Sequence, residues 1–243
     1  MKTFIGCSGY YYKDWKEKFY PAGLNKSRWL EFYALQFNTV EINNTFYTTP
    51  SENTLSEWKN KTPEDFQFSI KANRYFTHMK KLKTDNDFKI RYNQFETLLT
   101  LLEDKLGCIL WQLPGSIKKN TAKLASFCDS IGGDIQHVIE FRHPSWYQDD
   151  VYEILESRNI SFCIVSAPGN LPEETVLTSN TAYIRFHGKE NWYDYLYSNR
   201  EISRWKEKLE KLKTEKLFAY FNNDIGANAV KNAIQLKRSL KFN

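Results

Sequence analysis

Eight short runs favouring Val, Ile, Phe and Tyr recur along the chain, separated in most cases by longer stretches whose apolar residues fall three and four apart. The runs are Thr3 to Cys7, Thr39 to Asn43, Phe66 to Lys71, Cys108 to Gln112, His137 to Arg142, Ser161 to Ser166, Ala182 to His187 and Leu217 to Asn222. Extended runs alternating with amphipathic helices imply parallel strands joined by right-handed crossovers. Helical spacing is carried by Trp29, Phe32, Tyr33 and Phe37; by Leu55 and Trp58; by Leu124, Phe127, Cys128 and Ile131; by Val151, Ile154 and Leu155; by Ile202, Trp205, Leu209 and Leu212; and by Val230, Ala233 and Ile234. In the third interval the spacing runs from Phe88 through Tyr92, Phe95, Leu99 and Leu102 to Leu106, which predicts a helix that closes on Gly107. Only the sixth interval breaks the pattern, because Pro168-Gly169 and Pro172 predict a loop or a very short helix there.

Eight such units in 243 residues, with no linker, repeat or low-complexity tract, predict an α/β chain folded as a single (β/α)8 TIM barrel over residues 1–243, with helix 6 short or replaced by a loop. A doubly wound open sheet is the competing fold, but no Gly-x-Gly-x-x-Gly follows the first run. An apolar fraction of 41%, of which much is aromatic, suffices for a large core, and no stretch reaches the roughly 18 uncharged apolar residues of a membrane span. The first residues run straight into a strand without a leader pattern, so the expected location is the cytoplasm, with no membrane partner. Cys7, Cys108, Cys128 and Cys163 are widely spaced within apolar runs and read as reduced core thiols.

In a barrel strand every second side chain faces inward. Val40 and Ile42 are apolar, which turns Thr39, Glu41 and Asn43 in; Ile139 and Phe141 leave Val138, Glu140 and Arg142 inside; Ile184 and Phe186 leave Tyr183, Arg185 and His187 inside. Lys71, Gln112 and Asn222 end the third, fourth and eighth strands. These groups converge on the carboxyl end of the barrel, where barrel enzymes carry their chemistry. Burying the charges is costly unless they pair, so a structural ion-pair plug is the alternative to a ligand site. Two carboxylates against one Lys and two Arg leave one positive charge over, and two guanidinium forks suit the phosphate or carboxylate of an anionic, phosphorylated or sugar-like small molecule. In this reading Glu140 or Glu41 is the acid/base and His187 transfers a proton or binds metal, these three being the catalytic residues, while Lys71, Arg142, Arg185, Asn43, Gln112, Asn222, His78, His143 and Trp146 bind substrate. Such carboxylate chemistry suits a hydrolase or an isomerase or lyase. If a divalent metal is bound, Glu41, Glu140 and His187 are the ligand types for it.

Two other readings come from outside the mouth. Seven Lys or Arg between Lys71 and Arg91, interleaved with Tyr75 and Phe76 and opposed by Asp85 and Asp87, form a candidate nucleic-acid surface, bound or processed at its phosphodiesters. A net charge of +5 fits either an anionic ligand or a Lys-rich solvated surface. Trp192, Tyr193, Tyr195 and Tyr197 follow the seventh strand as an aromatic wall over the pocket or a lid packed on the barrel. A non-enzymatic binding or scaffold barrel completes the set.

Seven segments occur in order: Cys7-Ser8-Gly9-Tyr10; Val40 to Tyr47; Phe66 to Lys71 with Thr77-His78; Gln112-Leu113-Pro114; Glu140-Phe141-Arg142-His143-Pro144-Ser145-Trp146; Tyr183 to Gly188; and Tyr220 to Asn223. Together they resemble the YecE-like family, domain of unknown function 72, along almost the whole chain. The resemblance implies a barrel related to the class that holds sugar isomerases and an apurinic-site endonuclease, and it implies no settled activity. Three positions depart from the pattern: Tyr10 replaces Trp, Gly115 replaces a second Pro, and Ser166 replaces an Asp whose loss removes a carboxylate from the expected pocket.

Overall fold

The computed structural model describes residues 1–240. Eight strands, β1 (Lys2–Cys7), β2 (Thr39–Ile42), β3 (Gln67–Lys71), β4 (Leu106–Gln112), β5 (His137–Glu140), β6 (Ser161–Ser166), β7 (Thr181–Phe186) and β8 (Lys216–Phe221), form one parallel sheet in the order β1-β8-β7-β6-β5-β4-β3-β2. Among the described residues seven α-helices surround it: α1 (Trp29–Gln36), α2 (Glu52–Asn60), α3 (Asn86–Leu99), α4 (Thr121–Ser130), α5 (Asp149–Glu156), α6 (Asn199–Glu210) and α7 (Asn228–Ser239). Their starts are written in side chains, since Ser51, Asp85, Asn120 and Ser198 each accept a hydrogen bond from a first-turn backbone N–H, and Ser198 forms a capping box with Glu201.

No helix bridges β6 and β7; residues 167–180 form the expected loop. Thr178 holds it, donating to Ile160 O at 2.6 Å and accepting from Phe162 N at 2.8 Å. The third interval differs from the sequence expectation. α3 stops at Leu99, a 3-10 segment follows, and Leu106 and Gly107 lie inside β4. Glu103, at φ 50° and ψ −133°, breaks the helical path. Gly107 serves packing instead of stopping a helix: a Cβ there would stand 3.0 Å from the Phe218 ring. Leu99 and Leu102 remain buried, so the apolar face continues past the point where the helix ends.

The sheet closes between β1 and β2 by side chains in place of a ladder. The Tyr33 hydroxyl on α1 accepts from Cys7 N at 2.7 Å and donates to Thr39 O at 3.0 Å. Asn38 donates to Thr3 O at 2.8 Å, and Asn43 donates to Ser8 O at 3.1 Å. Gly6 permits the approach, because a Cβ there would lie 2.2 Å from Thr39 O. Inside the barrel, the Tyr220 hydroxyl lies 2.5 Å from Thr39 Oγ1 and 2.8 Å from Ser69 Oγ, a polar layer beneath the strands' carboxyl ends. Replacing Tyr33 with Phe strands a buried N–H and a buried C=O at the seam. We expect a loss of about 1–3 kcal/mol in urea unfolding, and a larger loss for Gly6→Ala, whose methyl has no room.

Candidate functional site at the carboxyl end of the barrel

The three inward strands converge as their alternation requires. The Arg185 guanidinium, at the end of β7, reaches Glu140 Oε2 of β5 at 2.5 Å through Nη1 and Glu41 Oε1 of β2 at 2.6 Å through Nη2. Tyr183, two residues earlier, donates to Glu41 Oε2 at 2.7 Å, and Asn43 donates to Glu41 Oε1 at 3.2 Å. All of Glu41, Glu140 and Arg185 are fully buried, and Arg185 Nε and Asn43 Oδ1 are left without partners. Burial alone would push the Glu140 pKa up, but Arg142, Arg185 and His187 outweigh it and hold the carboxyl well below the usual range.

His187 stands on the same face one step beyond Arg185. Its Nε2 lies 3.3 Å from Glu140 Oε1 and 3.1 Å from Arg142 Nη2, and its Nδ1 lies 3.1 Å from Asn222 Nδ2. Burial first, then the Arg142 charge, lowers its pKa from 6.5 to about 3, so the ring is neutral at physiological pH. Nδ1 faces the Asn222 amide while Nε2 faces both the Arg142 guanidinium and the Glu140 carboxylate, and a neutral ring accepts at one nitrogen and donates from the other.

Around this floor lies a wetter rim. Arg142, just past β5, pairs with Glu140 through Nε, keeps 13% of its side chain exposed, and lies 4.4 Å beneath the Trp192 ring. Lys71, half-buried at the end of β3, sits 4.4 Å over the Phe46 ring and has no ion pair among the described residues. The His78 ring meets the same Phe46 edge-on at 4.9 Å.

The chain as a whole resembles known proteins. The family described as Protein of unknown function DUF72 matches residues 4–243. The chain belongs to the DUF72 family. A DUF72 protein from Thermotoga maritima MSB8 is 32% identical, with a TM-score of 0.87 over 99% of each chain. The UPF0759 protein YunF of Bacillus subtilis (strain 168) is 29% identical over 266 residues, 96% of this chain and 93% of its own length. D-psicose 3-epimerase from Clostridium cellulolyticum H10, 12% identical with a TM-score of 0.58 across 99% of this chain and 97% of that one, shares the barrel fold alone.

The remaining sequence-derived residues of this DUF72 chain separate into two groups. Asn222 joins the cluster through His187. Gln112 pairs with Glu140 in the strand register but spends its amide on Leu113 O at 3.1 Å. His143 accepts from Ser145 N and caps the turn that follows β5. Trp146 does not reach the mouth: it is buried, stacks on Phe141 at 4.7 Å, and donates to Ile117 O. Ser166 Oγ faces the Tyr197 hydroxyl at 2.9 Å, on the outward side of β6, so its departure from Asp takes nothing from the cluster. The expected metal triad has its oxygens engaged by Arg142, Arg185 and Tyr183, and no group of three or more His, Cys, Asp or Glu among the described residues is set to hold a metal ion.

Trp192 was legible as part of an aromatic wall, and its role is now specific. Gly188, at φ 106°, makes the turn that folds the chain back, Tyr193 N donates to His187 O at 2.8 Å, and Trp192 packs on His187 at 5.3 Å. Asn223 and Asn232 pin the loop, donating to Tyr195 O at 2.6 Å and Tyr197 O at 2.8 Å. Tyr197 itself is core, buried beneath the loop. Outside the mouth, Lys80, Lys83 and Arg91 are paired with Asp85 and Asp87. A groove of about 980 Å³ lies beside α3, lined by Tyr47, Tyr75, Arg91, Leu98 and Leu101 and by none of the cluster residues. No described helix is long and apolar enough to cross a membrane.

Two outcomes follow. Arg185→Met leaves two carboxylates buried without their cation and should cost about 3–5 kcal/mol in chemical unfolding, with part recovered when Glu41 and Glu140 are also changed to Gln. Because the folded His187 pKa lies below its unfolded value, stability should fall as pH drops from 6.5 towards about 3. Buried His137, lowered to about 4, acts in the same direction. His187→Gln should flatten that acid limb in melting temperature against pH.

Proposed function

We propose that this barrel binds an anionic small molecule at its carboxyl-end mouth, with Arg142 as the principal anion contact. The observation that carries the reading is the division of the cluster. Glu41, Glu140 and Arg185 leave one negative charge over in the sealed floor, and Arg142 balances it while keeping an exposed edge under the Trp192 ring. Lys71 then stands as the excess cation at the rim. Buried cations in a purely structural network would be expected to find carboxylate partners. A planar guanidinium with an open edge, an aromatic face above it and a second cation nearby suits a phosphate or carboxylate carried on a small polar body such as a sugar.

The nucleic-acid reading has less behind it, since three of the seven cations between Lys71 and Arg91 are tied to Asp85 or Asp87 and Lys71 belongs to the mouth. Thermal-shift screening of inorganic phosphate, pyrophosphate, sugar phosphates and small carboxylates should find ligands that raise the melting temperature. Arg142→Met should remove most of that rise when each variant is compared with its own unliganded melting temperature, which should itself fall because buried Glu140 loses a partner. A library-wide lack of response would support a scaffold barrel. Salt-sensitive binding of mixed oligonucleotides that survives Arg142→Met would support a surface for nucleic acid.

A further inference from the structure

We propose that Lys71 is an imine-forming amine, whose Nζ attacks the carbonyl carbon of a small aldehyde or ketone while the substrate's anionic group rests on Arg142. The inference rests on the mouth being an anion site and adds to it the class of substrate and the reacting atom. Four observations place the amine for this chemistry. Lys71 shares the inward face of β3 with Ser69, which bonds Tyr220 inside the barrel, so its stem rises towards the open end. Its backbone is fixed, because the Thr45 hydroxyl donates to Lys71 O at 2.7 Å. Its Nζ rests on the Phe46 ring and makes no ion pair among the described residues, so no carboxylate holds its proton. It is half-buried and so still open to solvent on one side.

The surroundings favour the free amine. Burial and the Arg185 and Arg142 charges lower the Lys71 pKa from 10.5 to about 7, against the opposing pull of Glu140 and Glu41. About half of the side chain is then the nucleophilic form at neutral pH, where an ordinary lysine is almost wholly protonated. His78, which meets the Phe46 ring edge-on, has its own pKa lowered by burial, Lys71, Arg74 and Arg142, which favours its neutral form. In the step itself the C–N bond forms as the carbonyl π bond breaks, and an amine proton passes to the oxygen. The nitrogen lone pair then forms the C=N bond as the C–O bond breaks, and the second amine proton leaves with the hydroxyl as water, which gives the imine. Nothing is oxidised or reduced.

The test uses the full chain and two carbonyl probes at limiting concentration, pyridoxal 5′-phosphate as an anionic aldehyde and formaldehyde as a neutral one, each trapped by borohydride-type reduction and mapped by peptide mass spectrometry. Both should mark Lys71 at least about tenfold over any other lysine at pH 7, with half-maximal labelling near that pH. Pyrophosphate should suppress the pyridoxal phosphate reaction more than the formaldehyde reaction. Lys71→Arg, which keeps the charge, should abolish the selective label while a circular dichroism melt shows an intact fold. Labelling spread evenly over the lysines, with phosphate still raising the melting temperature, overturns the amine and leaves the anion site standing. Selective labelling by formaldehyde without selective labelling by pyridoxal phosphate overturns the anionic substrate class and with it the role given to Arg142.

Discussion

One guanidinium organises the upper half of this barrel. Arg185 reaches two carboxylates on β2 and β5 from its own place on β7, and each of the three ions would cost several kcal/mol to bury alone. Its fork geometry lets it serve both acids at once, a task a lysine ammonium could meet only as a point charge. The pairing has consequences beyond its own members. Glu140 is held ionised by Arg142 and Arg185, while burial and the Arg142 charge keep His187 neutral beside it. With both carboxylates engaged on the floor, neither is available to pair with Lys71, and the Arg185 charge itself disfavours the ammonium form there.

Most of this floor was legible because strand alternation is a strong rule wherever both neighbours are apolar. Val40 and Ile42 fixed Glu41, Ile139 and Phe141 fixed Glu140, and Ile184 and Phe186 fixed Arg185 and His187. The loop after β6 was legible for a similar reason, since Pro168 and Pro172 each remove a backbone donor from any helix. Arg142 lies past the end of β5, where alternation no longer applies, and it reaches the cluster through the length of its side chain and its bond to Glu140.

What the pattern of residues did not carry depends on where loops fold. Trp146 sits three residues past His143, close in sequence to Arg142, yet the 3-10 turn after β5 sends its ring into the core against Phe141. The helical spacing from Phe88 to Leu106 overshot, because a buried apolar face persists through a 3-10 segment and into a strand as readily as along a helix. Closure by Tyr33, Asn38 and Asn43 left no trace in periodicity at all, since one hydroxyl and two amides replace bonds that backbone groups normally exchange. Lys105 is a comparable case at the opposite end. It is buried, and its Nζ is spent on Lys59 O and Thr62 O around the carboxyl end of α2.

The contrast between Lys105 and Lys71 bears on why the mouth is built as it is. Both are lysines whose pKa is lowered first by burial. Lys105 recovers the lost hydration through three oxygen acceptors within 3.1 Å, the arrangement expected when a buried ammonium has only to be tolerated. Lys71 is given an aromatic face, two neighbouring guanidinium groups and no carboxylate of its own. A fold that can wrap one lysine in acceptors while leaving another without them treats the two differently for a physical reason. At Lys71 burial and the neighbouring guanidinium charges shift the balance away from the ammonium form and towards the free amine.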